Sequence, residues 1–90
     1  MNDTQLLSLV KTSLRVVSTA FDDEINFLIS AGKTDITQAT DAPFDINDDV
    51  QVNAVVLYVS GYFGDGDEDQ LKRYEQVKQS IGLRKIKQVT

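Results

Sequence analysis

The ninety residues contain neither cysteine nor histidine. Without cysteine there are no disulfides and no thiolate metal sites. Without histidine the usual general base and the commonest metal ligand are both gone. Only carboxylates, lysines, tyrosines and hydroxyls remain, so the expectation is a protein that is not an enzyme and uses no cofactor or metal. No glycine-rich segment precedes a Lys-Ser or Lys-Thr pair, which excludes a phosphate-binding loop, and nothing points to a small-molecule substrate. The longest apolar run, around Val52–Phe63, is too short and too interrupted to span a bilayer. Met1 to Gln5 has neither a basic nor an apolar leader character. The sequence therefore predicts a soluble, intracellular chain with no membrane partner.

A basic surplus is also missing. Nine basic residues face fourteen acidic ones, for a net charge of −5. A free nucleic-acid binder normally carries a basic surplus or stripe, so no sequence-specific nucleic-acid partner is expected. The charge is unevenly placed. Residues 1–82 hold six basic and fourteen acidic groups, net −8, whereas Leu83–Thr90 holds Arg84, Lys85 and Lys87, net +3. This divides the chain into a domain at 1–82 and a basic tail at 83–90. Leu83, Ile86 and Val89 recur at three-residue spacing within the tail. Leu83, Arg84, Lys85, Ile86 and Lys87 are therefore the candidate partner-binding residues, expected to pack on an acidic neighbouring protein surface, with a frayed, solvated end as the alternative.

Hydrophobic periodicity gives four helical segments. The first, about Thr4–Arg15, carries Leu7, Val10 and Leu14 on one stripe, with Asn2 or Asp3 as cap. The second starts near Phe21 and ends before Pro43, and Thr19 with Asp22 matches a capping box. Its stripe is Phe21, Ile25, Leu28, Gly32, Ile36 and Ala39; Gly32 implies close approach of a neighbouring helix. The third, about Asp49–Phe63, is valine-rich enough to pass for a strand. Val52, Val55, Val56, Val59, Tyr62 and Phe63 nevertheless keep helical spacing, and the length exceeds that of an ordinary strand. Being apolar nearly all round, it is expected at the centre of the fold. The fourth, about Asp67–Ile81, has Leu71, Tyr74, Val77 and Ile81 as its stripe, with Asp65 or Asp67 as cap and Gly82 as its stop. The fold class is all-α: one domain of four helices, a bundle or orthogonal array, with a short C-terminal tail.

Three acidic clusters invite functional readings. Counted from Asp65, a calcium loop would need glycine and glutamate where Gln70 and Gln76 stand. Counted from Asp45, it would need them at Val50 and Val56. Asp22, Asp23 and Glu24 sit where a helix's first turn favours negative charge in any case. Tyr58, Tyr62 and Phe63 fall at helical spacing in an apolar run, which reads as core rather than as a base-stacking platform. An acyl carrier domain would need a modifiable Asp-Ser-Leu, and residues 19–24 hold no such serine.

One family has a similar order of motifs. Val10, Lys11, Leu14, Arg15 and Val16 come first, followed by Asp22 to Ile25 with Leu28, Ile29, Ala31 and Lys33. Ala54 to Val59, then Tyr62, Phe63 and Gly64, and finally Leu71, Tyr74 and Glu75 complete the series. This order resembles the small all-helical head–tail connector (head-completion, or DNA-packaging) proteins of tailed bacteriophages and prophages, over Leu6 to about Leu83. It departs from them where many members carry Asn-Arg after the central aromatics and this chain has Gly64-Asp65-Gly66-Asp67. The resemblance implies a structural subunit that forms a cyclic homo-oligomer under the portal, extends the DNA channel and offers a platform to the next tail or neck component. It implies as partners further copies of itself, the portal protein and that neck component. It implies as location the virion neck, with the bacterial host cytoplasm during assembly. The alternative is a monomeric helical adaptor or regulatory domain that binds one partner protein.

Overall fold

The computed structural model describes residues 1–89, with side chains through Leu83. It contains helices α1 (Asp3–Leu14), α2 (Asp22–Thr40), α3 (Asp49–Tyr62) and α4 (Glu68–Val89), with a 3-10 turn at Thr19–Phe21 before α2. No strand occurs among the described residues, so the all-α, four-helix class holds. The valine-rich third segment is a helix. Asp48 starts it by accepting the Val50 N–H at 3.0 Å.

Caps set the other boundaries. Asn2 and Gln5 form a reciprocal capping box on α1, each accepting the other's backbone N–H at 2.9 Å. Arg15 closes that helix in the left-handed region at φ 59°. At α2 the expected Thr19–Asp22 box does not form. Ser18 instead caps the 3-10 turn through Ala20 N–H, and Phe21 precedes α2 without a side-chain cap. Three carboxylates in the first turn, Asp22, Asp23 and Glu24, favour that helix end electrostatically. The expected stop at Gly82 is also overturned, because α4 continues through it to Val89.

Among the described residues helix α3 touches all three others, whereas α1 and α4 do not touch each other. The α2–α3 pair is thus the centre, flanked by α1 on one side and α4 on the other. Ion pairs Lys11–Asp22 at 2.8 Å and Lys33–Asp3 at 2.9 Å fix α1 antiparallel to α2. The core is built from Leu6, Val10, Ile25, Ile36, Val55 and Val59, each fully buried and each contributing about 1.5–3 kcal/mol of transfer free energy.

The buried face of α2 is Ile25, Ile29, Gly32, Ile36 and Thr40. This stripe is rotated from the expected one: Phe21 and Ala39 are exposed and Leu28 is only half-buried. The close approach expected at Gly32 is present, since a Cβ there would lie 3.1 Å from the Tyr58 ring on α3. Along α3, Tyr62 is 52% exposed and not core, and Val56 and Phe63 are half-buried. On α1, Leu6 joins Val10 in the core while Leu7 and Leu14 are half-buried at its margin.

Candidate functional site

Polar side chains gather in two places. The first lies between α2 and α4. Asp35 leaves the α2 surface next to buried Ile36, and α4 presents Tyr74 and Lys78 to it one turn apart. Tyr74, only 2% exposed, donates its hydroxyl to the Asp35 carboxylate. Lys78 Nζ reaches Asp35 Oδ2 at 3.2 Å and Glu75 Oε2 at 3.2 Å. Tyr58 on α3 packs edge-on against Tyr74 at 5.2 Å.

Burial raises the Tyr74 phenol well above its ordinary range, and the hydrogen bond to Asp35 raises it further. Burial likewise raises Tyr58, helped by the neighbouring Tyr62 and Asp35. For Lys78 burial disfavours the charge, but the bonds to Asp35 and Glu75 outweigh it and the net shift is upward. A phenol held protonated is a donor, not a nucleophile or base. The cluster is therefore a polar clamp tying α4 to α2.

The second feature is a groove of about 330 Å³ at the α3–α4 hinge, lined by Gly61, Tyr62 and Leu71 together with Asp65, Asp67 and Glu68. The chain turns there because Gly64 and Gly66 adopt φ of 63° and 81°, which side chains disfavour. The Asp67 N–H returns to the Gly61 carbonyl at 2.9 Å. Asp67 also caps α4, its Oδ1 accepting Asp69 N–H at 3.0 Å and Gln70 N–H at 3.3 Å. Asp65 and Glu68 form no ion pair among the described residues, and no lysine or arginine lines the groove. Nearby, Phe21 packs edge-on against Phe63 at 5.7 Å while remaining 47% exposed, and Val17 is 97% exposed. A smaller cleft of about 230 Å³ between α1 and α2 contains the Lys33–Asp3 pair.

The three acidic clusters do not converge on one another. Asp22 is tied to Lys11, Asp45 accepts the Asn47 N–H at 2.9 Å, and Asp67 is a cap. No group of three or more carboxylates among the described residues is arranged to hold a metal ion. Of the candidate tail residues, Leu83 is 57% exposed. Arg84, Lys85, Ile86 and Lys87 lie beyond the described side chains. Sequence reading missed the Asp35 clamp, whose members stand 39 and 43 residues apart. The available signal was a carboxylate placed directly beside a core isoleucine.

Comparison of the chain with protein-family models, with curated proteins and with solved structures gave no match in any of the three.

Proposed function

We propose that this chain is a structural subunit of a phage or prophage head–tail connector, assembling as a ring beneath the portal. The observation that carries the reading is the ordered series of motifs over Leu6–Leu83, joined to a four-helix fold of the class that series implies. Two further features support it. Large apolar side chains at Val17, Phe21, Phe27 and Tyr62 are left at the surface, as in a subunit that completes its burial against neighbours. The net −8 of residues 1–82 suits the wall of a channel through which DNA slides, because like charge prevents phosphate binding.

A ring needs a heterologous interface that closes on itself, so each subunit must present two different patches. The direct test is electron microscopy and mass spectrometry of the virions encoded with this chain. The protein is expected in the neck, in a cyclic arrangement next to the portal. Its absence from the particle, together with a strictly monomeric state and one unrelated binding partner, would replace this reading with an adaptor domain.

A further inference from the structure

We propose that the α3–α4 hinge groove is a docking site for the basic C-terminal segment, Leu83–Thr90, of a second copy of this chain. The inference deepens the ring reading by naming the two surfaces that meet, and it rests on that reading only in requiring that copies associate.

The groove specifies its occupant by chemistry. Tyr62, Leu71 and Gly61 supply apolar lining, while Asp65, Asp67 and Glu68 supply negative charge with no basic residue among them. The nearest cations in sequence, Lys72 and Arg73, lie a turn further along α4 and are exposed. A ligand that fits must be apolar and cationic at once. Residues 83–90 have that composition, with Leu83, Ile86 and Val89 alternating with Arg84, Lys85 and Lys87 and no acidic residue. The other acid-free stretch with basic residues and spaced apolar ones, residues 4–21, holds only Lys11, which is paired with Asp22, and Arg15, so residues 83–90 carry the densest positive charge in the chain. Leu83 is 57% exposed, so its own fold leaves it largely uncovered.

The segment cannot reach the groove of its own chain. Helix α4 is continuous over 22 residues from Glu68 to Val89. At 1.5 Å per residue this is a rod of about 33 Å, with the groove at one end and the basic segment at the other. Only another copy can bring the two together. The contact is then head-to-tail between unlike surfaces, the type that generates rings or filaments. A groove of about 330 Å³ accepts only a few side chains. Affinity for a single contact is accordingly weak and falls with salt, and the assembly depends on many contacts formed at once.

Sedimentation velocity on the full chain tests this, using Asp65→Lys with Glu68→Lys as the groove variant and Arg84→Glu with Lys85→Glu and Lys87→Glu as the tail variant. Far-UV circular dichroism first establishes that each variant keeps its helices. The wild type is expected to associate in a concentration-dependent way at low salt, weakening about tenfold or more on moving to about 0.5 M salt. Each variant alone should associate about tenfold or more weakly than wild type. The two sets of reversals combined in one chain should restore association, because the charges again complement.

Wild type that stays monomeric to about 1 mM at low salt, a range covering weak contacts, overturns the proposal. So does either variant associating as wild type does, or a combined variant that is not restored. The outcomes separate from those of the connector reading. Charge-dependent association by a protein absent from virion necks upholds the docking and removes the connector. A neck ring indifferent to the reversals does the opposite.

Discussion

Replacing Tyr74 by phenylalanine removes one oxygen from the α2–α4 clamp and leaves the ring packed against Tyr58. The lost bond runs from a phenol to a carboxylate, a class worth about 1.5–3 kcal/mol when fully desolvated. Here the Asp35 side chain is 37% exposed and keeps Lys78 at 3.2 Å, so water and the ammonium replace part of it. A loss of about 1–2 kcal/mol near pH 8 follows. That is well below the ~3–5 kcal/mol expected if the whole aromatic side chain were deleted.

The pH dependence makes the experiment diagnostic. Burial and Asp35 raise the folded-state pKa of Tyr74 above its unfolded value near 10. Its protonated state therefore contributes stability in full below pH 10, and that contribution is lost progressively as the pH rises toward the folded value. By linkage the wild type loses about 1.4 kcal/mol between pH 8 and pH 11 through this group, whereas Tyr74→Phe loses nothing through it. Lys78 and Tyr58 are present in both proteins, so their contributions largely cancel in the difference. Urea denaturation followed by circular dichroism should thus show a gap of about 1–2 kcal/mol at pH 8 that shrinks to near zero at pH 11. A variant as stable as wild type at pH 8, or a gap unchanged at pH 11, would refute the clamp.

Other perturbations test other parts of the fold. Gly61→Ala places a Cβ 2.3 Å from Leu71 Cδ2 and 2.5 Å from its Cγ. The overpacking costs about 1–3 kcal/mol, partly offset by a gain of about 1 in helix propensity. Thermal melts should show a net loss that is smaller when Gly61→Ala is made in a Leu71→Ala background. Asn2→Ala removes half of the α1 capping box and should cost about 1 kcal/mol in urea denaturation. Val17→Ser, at a 97% exposed side chain, should change monomer stability by no more than about 0.5 kcal/mol.

Helix type and order were legible in the sequence because periodicity survives composition. The segment holding Val50 and Val52 has β-favouring residues, yet its apolar positions repeat over about three helical turns, too long for one strand, and burial on several sides outweighs propensity. The exact face of α2 was less legible. The set Ile25, Leu28, Gly32, Ile36 and the set Ile25, Ile29, Gly32, Ile36 are both acceptable helical stripes. Which one faces inward depends on where α3 and α4 lie, and that is non-local. Phe21 was misplaced because the chain is still in a 3-10 turn there, so it never enters the helical register. Gly82 read as a stop, since glycine is common after a helix end. Its actual place is inside α4 close to the Ala39 carbonyl of α2, 3.6 Å from where a Cβ would sit, just after Ile81, 4% exposed, has anchored the turn. The Asp35 clamp was invisible for the same reason as the α2 face. Its partners are neighbours only once two helices have packed.

The clamp and the groove are connected through α4. Tyr74 and Lys78 fix the middle of that helix to Asp35, and Gly64 and Gly66 fix its start at the hinge. The direction of α4 relative to the α2–α3 pair is therefore held at two points rather than one. If copies dock head to tail as proposed, that direction is one determinant of the rotation from one subunit to the next. A rotation that divides the circle closes a ring, and any other gives an open filament. A weakened clamp would broaden that rotation without abolishing the contact. Under the proposed head-to-tail docking, the Asp35 cluster would link the stability of a single subunit to the closure of the assembly, although it lies in neither proposed contact surface.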